Sequence, residues 1–254
     1  MADSAHDKTE GRKAARCLAR AGLLVAFGLF LPATLRPCIS LHATPASALS
    51  AAAFLAVGLV SYFIAQTLWN SVLLGGHLRG ELGRGNLAAG VVAGAHAAGT
   101  GIVASHCFVA DSLVNLPVGA IFFAVAEVAL VALSLLFRAL TNYADDQEIV
   151  GENLAAGMSY SGVVIGLSVI VGHAADGAFV GWLPALRSFA MFLLWAALLY
   201  PVRQVVVAHW LLGLPLCLRG GALDRAVAQD RDLVVSSVEA LGYLAAALVA
   251  TGLA

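Results

Sequence analysis

Residues 81–106 read ELGRGNLAAGVVAGAHAAGTGIVASH, and residues 148–173 read EIVGENLAAGMSYSGVVIGLSVIVGH. Laid over each other at a constant offset of 67, without a gap, they agree at Glu81/Glu148, Asn86/Asn153, Leu87/Leu154, Ala88/Ala155, Ala89/Ala156, Gly90/Gly157, Gly99/Gly166 and His106/His173. Alanine and glycine coincide easily in a chain of this composition. The Glu, Asn and His matches do not, and an internal repeat at fixed offset points to a fold assembled from copies of one unit.

The rest of the sequence says which kind of unit. Of 254 residues, 61% are hydrophobic and only 11% charged, with a net charge of −1, and the mean hydropathy is +0.90. That is too little charge to coat a globule in water. Apolar stretches of roughly 20 residues, enough to cross a hydrocarbon core of ~30 Å, recur along the chain. No stretch alternates with period two between turn signals, as a barrel would require. The expected fold is all-α: a polytopic membrane protein with seven transmembrane helices, built from tandem parallel helical-hairpin repeats in a lipid bilayer. No basic cluster is interleaved with aromatics, so nucleic acid is not an expected partner.

The expected organisation is a basic tail (1–20), a first span with its outer loop (21–45), two hairpins (46–115 and 116–182) and a diverged third hairpin (183–254). The basic lead and Ala46-Ser47-Ala48 fit a cleaved signal peptide, whereas Pro32 and the distance to that site favour a retained helix. Asp145 and Glu148 suggest a capping box opening the fifth span. Pro201 should kink the sixth. With the N-terminus in the cytoplasm, only Arg36 and Arg187 of the 14 basic residues fall outside, and the C-terminus is external. In each hairpin a bulky helix travels inward and an Ala/Gly-rich helix travels outward. All copies then point the same way, unlike the inverted repeats of many transporters. In the third hairpin Asp232 and Ser237 keep the acid-to-polar spacing of five.

Helices in lipid associate through close packing and interhelical hydrogen bonds. Gly90 with Gly94, and Gly162 with Gly166, have GxxxG spacing. These helices should form the inner layer, with the bulky second, fourth and sixth spans outside. Asn86 and Asn153 are expected about a turn or two inside the membrane boundary, bonding a neighbouring helix or lining an ion path.

An acidic residue followed by GN or EN and an Ala/Gly-rich helix, on tandem two-helix units, resembles the YjfL-like family of bacterial inner-membrane proteins, a domain of unknown function. The matching residues are Glu81, Gly85, Asn86, Gly90 and Gly99, and Glu148, Asn153, Gly157 and Gly166. Glu152 stands where the family usually has Gly, and the third copy has Ser237 for Asn. The resemblance implies a membrane fold and an inner-membrane location, with no established activity. Some members resemble components of envelope-stress gene clusters.

Several residues could carry chemistry. Glu127 lies deep in the fourth span, where an ionisable group marks either an ion or proton path or a protonated carboxyl bonded to another helix. His96 lies at mid-depth of the third span, and as an imidazole could relay protons, ligate haem or be an interior hydrogen-bonding residue. Tyr160 joins Glu127, Asn86, Asn153 and His96 as an ion-path candidate. Glu81, Glu148, Arg203 and Glu239 are polar groups on the cytoplasmic side, with Arg203 snorkelling or pairing with Glu239. His106 and His173 occupy equivalent outer ends of two helices near Asp111 and Asp176, a possible metal or pH-sensing ring. Cys38 and Cys107 both fall outside, where a disulfide is allowed; Cys17 and Cys217 fall inside and should be free.

The only lysines are Lys8 and Lys13, so a retinal Schiff base is excluded. No phosphate loop, dinucleotide fingerprint or nucleophile elbow is present, and no cofactor is expected. The leading expectation is a non-enzymatic conduit or carrier for protons or small cations. The alternatives are a membrane-assembly or stress subunit that oligomerises through its small-residue faces, and a haem protein or intramembrane enzyme using His96.

Overall fold

The computed structural model describes residues 2–39, 44–110, 112–176, 179–217 and 219–252; side chains are described from residue 9 onward, Pro37 excepted. The long helices are α1 (Ala2–Ile39), α2 (Pro45–Val72), α4 (Leu87–Cys107), α5 (Leu116–Leu140), α7 (Leu154–Ala174), α8 (Trp182–Ala197) and α11 (Leu233–Gly252), with short helices α3 (Leu78–Arg84), α6 (Asp145–Val150), α9 (Leu199–Pro201) and α10 (Ala222–Ala228) between them. Among the described residues there is no strand, and seven helices are long and apolar enough to cross a membrane. The sixth is broken near Leu198, and beyond Pro201 it continues to Leu211 as a π-helix. Loss of a backbone donor at proline accounts for an irregularity here.

Small residues decide the arrangement. α1 packs most extensively on α4, α4 on α7 and α7 on α11. The contacts pair residues in the same order along both chains: Ala15 with Gly90, Ala26 with Gly101, Ala88 with Gly157, and Ala240 with Gly162. The four helices are therefore parallel neighbours in a row. In their most apolar stretches 78% of α4 and 72% of α7 is buried, against 22–39% in the other five spans. As expected from their glycines, α4 and α7 form the inner layer. The bulkier α2, α5 and α8 pack on them and turn Val60, Phe63, Ile64, Val128, Leu135, Met191 and Leu194 outward. The first span is a full member of the row.

Two expectations fail at helix starts. The third and fifth spans are each interrupted, so that Asn86 and Asn153 stand at the first residue outside α4 and α7 rather than within them. The Asp145–Glu148 capping box does not form: Ala144 is the N-cap of α6 and no side chain caps it. Asp145 is instead buried, and Glu148 is used elsewhere.

The closest approach is between Gly22 and Gly94. A Cβ on Gly22 would lie 2.0 Å from the Gly94 carbonyl oxygen, whereas one on Gly28 would meet nothing within 4 Å. Gly22→Ile should therefore lower the melting temperature in detergent markedly, while Gly28→Ile should leave it nearly unchanged. Thermal unfolding of the two variants side by side checks the α1–α4 contact.

Candidate functional site

The site is built upward from the two helix starts. Asn86 Oδ1 accepts from Ala89 N at 3.1 Å, and Asn153 Oδ1 accepts from Ala156 N at 3.2 Å. Each satisfies a first-turn N–H that the helix cannot satisfy itself. Each amide also donates to the glutamate five residues before it, Asn86 to Glu81 at 3.0 Å and Asn153 to Glu148 at 2.9 Å. A further bond reaches the next unit: Asn86 Nδ2 to the Ile149 carbonyl (2.7 Å), and Asn153 Nδ2 to those of Val227 (3.0 Å) and Ala228 (3.2 Å). The Glu and Asn matches between the two segments are thus one device used twice. Burial works against the Glu81 carboxylate, but bonds from Arg84 and Asn86 outweigh it and hold its pKa below the usual range. The residue before each Asn is left-handed, Gly85 at φ +94° and Glu152 at φ +61°, so the glutamate occupies a conformation that suits glycine. At α11 the capping residue is Asp232, whose Oδ1 accepts from Val234 N and Val235 N. Ser237 is half-buried and bonds the Leu233 carbonyl within the helix. The start of α11 is thus held by Asp232, and Ser237 lies inside the helix.

About 14 Å along α4, at 1.5 Å per residue, three of the expected residues meet. Trp69 Nε1 donates to Glu127 Oε2 at 2.9 Å, and its indole lies 4.1 Å from the His96 ring. His96 Nε2 and the Tyr160 hydroxyl share a 3.1 Å hydrogen bond. Gln66 Nε2 donates to the His96 carbonyl, and Tyr62 to that of Ala97. Thr100 stands beside Glu127. Glu127 Oε1, His96 Nδ1 and Thr100 Oγ1 are all buried without a hydrogen-bond partner. Such orphans in a well-packed interior call for an explanation, commonly function. Neither edge of His96 offers a haem an open position, because one nitrogen is bonded to Tyr160 and the other is enclosed by protein. Asn86 and Asn153 do not join this group. Their side chains are committed to the helix starts.

Tyr160 also lines a small pocket with Ser134, Arg138, Asp145, Ser159, Arg203 and Tyr243. Its ≈ 20 Å³ of water-accessible space holds about one water. Behind it Arg203 bonds Glu239 and Asp224, each at 2.5 Å, and all three are buried. Ser159 and Tyr243 donate to Glu239, and the Asn142 backbone N–H donates to Asp224. Arg203 does not snorkel to the surface. It is held inside by two carboxylates whose remaining lone pairs are satisfied, the arrangement that makes a buried charge tolerable.

A family model described as Domain of Unknown Function (DUF350) matches residues 4–108 and 111–253. The chain belongs to the DUF350 family. No curated protein and no solved structure matches it. In this DUF350 chain the Glu and Asn that carried the resemblance are helix-start residues, and the polar chain lies one to three turns beyond them.

At the opposite end of α4 and α7, His106 and His173 come together at Asp176; Asp111 lies outside the described residues. All four cysteines are free, so Cys38 and Cys107 are not bridged.

Trp69, Thr100, Arg138 and Asp224 were not singled out from sequence, and Asp145 was read only as a helix cap. Trp69 reads as bulk on an outer helix, although an indole N–H in an apolar span needs an acceptor. Thr100 lies one turn beyond His96. Asp224 lies in a short helix of a segment that mixes Arg219, Arg225 and Arg231 with Asp230 and Asp232, so nothing in the sequence sets it apart.

Asp145 lies outside the spans, and burial pushes its pKa up from 3.8 to about 7, with Arg138 opposing and Asp146 and Glu239 adding to the rise. The folded protein then keeps a proton that the unfolded chain loses. Stability should fall as pH rises from about 4 to about 7 and level off above it. Asp145→Asn should flatten that part of the curve relative to wild type, as measured by thermal unfolding across pH.

Proposed function

We propose that this protein moves protons through the bacterial inner membrane, with Glu127 as the exchanging carboxylate. The observation that carries this reading is the Glu127–Trp69–His96–Tyr160 group with Thr100 beside it, in which Glu127 Oε1, His96 Nδ1 and Thr100 Oγ1 are buried and unpartnered at mid-span, next to a tyrosine that lines the water-sized pocket. Trp69 is a donor only and cannot relay a proton. It anchors one carboxylate oxygen and leaves the other free. Thr100, His96 and Tyr160 have hydroxyls or ring nitrogens that both accept and donate. His96 and Tyr160 are already hydrogen-bonded. A proton passes from Glu127 to them, towards the pocket and Asp145, when a side-chain or water movement closes the gap at Oε1. The companions of Glu127 are an indole, an imidazole and a single hydroxyl. A hard metal cation requires several oxygen ligands, so the group suits protons better than small cations.

The positive-charge bias supports a cytoplasmic position for the end bearing Asn86 and Asn153, and on that reading the pocket faces inward. The alternative assembly role called for free small-residue faces. Gly90, Gly94 and Gly101 are taken up by α1, and Gly162 and Gly166 by α11, which favours the conduit.

Proteoliposomes loaded with a pH-sensitive dye, and given a potassium-diffusion potential, measure the activity. Wild type should acidify or alkalinise the lumen faster than empty vesicles, and Glu127→Gln should reduce the rate by about 10²-fold or more. Flux that is unaltered by Glu127→Gln would remove the proposal.

A further inference from the structure

The cluster at the other end of the bundle is independent of Glu127. His106 lies in the last turn of α4 and His173 in the last turn of α7. Asp176 follows α7, with its N–H bonded to the His173 carbonyl. Its two carboxylate oxygens approach different imidazoles: Oδ1 accepts from His106 Nδ1 at 2.8 Å, and Oδ2 lies 3.1 Å from His173 Nδ1. The rings are 6.1 Å apart and nearly perpendicular, and both Nδ1 atoms approach the same carboxylate. One ligand atom from each of the three residues can be chosen so that all lie within 4.8 Å of one another. The side chains are 30–39% exposed, which leaves an entry path.

We propose that His106, His173 and Asp176 bind a divalent first-row transition-metal ion of the zinc class. Tetrahedral coordination at 2.0–2.2 Å sets ligand atoms roughly 3.3 Å apart, so side-chain shifts of about an ångström complete the set. Two imidazoles and one carboxylate are borderline donors that suit zinc, copper or nickel over calcium or magnesium. Metal takes the place of the His106–Asp176 hydrogen bond and of the His173–Asp176 contact: each imidazole carries its proton on Nε2 and gives its Nδ1 lone pair, while Asp176 gives an oxygen. Three protein ligands leave a fourth position for water. Both helices end here, and their partial negative charge favours a cation at this spot. The His173 ring is braced by Phe192, with centroids 5.2 Å apart. A mere His–Asp–His clamp would have the same contacts but no affinity for metal.

The test uses untagged full-length protein in detergent, stripped with chelator and titrated with Zn²⁺ by calorimetry. Wild type should take up one equivalent. His106→Gln, His173→Gln and Asp176→Asn should each weaken binding by about tenfold or more, while His209→Gln leaves it unchanged and circular dichroism stays that of wild type. Co²⁺ should give visible ligand-field bands with wild type, which needs no variant to fold. No stoichiometric Zn²⁺ uptake and no cobalt bands, or uptake insensitive to the two histidine substitutions, would overturn the site.

Discussion

Lipid tails are as apolar as leucine side chains, so helices inside a bilayer gain little by hiding apolar surface from their surroundings. What holds them is the number of atoms brought into van der Waals contact and the hydrogen bonds made across them. In this protein that requirement is met by backbone-to-backbone approach along α1, α4, α7 and α11, where Ala15, Gly22, Ala26, Gly90, Gly94, Gly101, Gly162 and Ala240 remove the side chains that would keep the helices apart. Everything else is placed by this row. The bulky helices lie against it, and the polar groups at mid-span come from the faces where α2 and α5 meet α4 and α7.

A second constraint fixes the row's height. A helix beginning at the edge of lipid must have its first N–H groups satisfied. Asn86, Asn153 and Asp232 do this at α4, α7 and α11, and the two asparagines also tie each helix to the segment before the next one. Much of this was legible in the sequence. The Glu and Asn matches were singled out because they were improbable in a chain so rich in alanine and glycine, and the inner position of α4 and α7 followed from their glycines. Periodicity could not reveal that each span was interrupted before its Asn, because Glu81 to Asn86 and Glu148 to Asn153 carry no proline. The left-handed Glu152 gives no signal of its conformation. Nor did spacing alone show that Asp232 itself caps α11 while Ser237 lies within the helix.

The buried charges were only partly legible. Glu127, His96, Arg203 and Glu239 were conspicuous because ionisable groups are costly in apolar spans. Trp69 was not, since it looks like an ordinary membrane aromatic until the helices are assembled, and Tyr160 was named without its bond to His96. The pairing of Arg203 with Asp224 joins a span to a loop 21 residues away, and no periodicity reports such a contact. The structure separates what the sequence had grouped: the asparagines with helix starts, Glu127 with His96 and Tyr160, and the two repeat histidines with Asp176 at the far end.

The account rests on the parallel small-residue row, and cysteine cross-linking in native membranes tests it most directly. In a background without Cys17, Cys38, Cys107 and Cys217, cysteines are introduced in pairs at Ala15 with Gly90 and at Gly162 with Ala240, with Val60 and Ala240 as a control. Mild oxidation should close an intrachain disulfide in both of the first pairs and not in the third. Failure of both pairs in folded protein, or ready bridging of the control, would contradict the arrangement on which the buried polar chain depends.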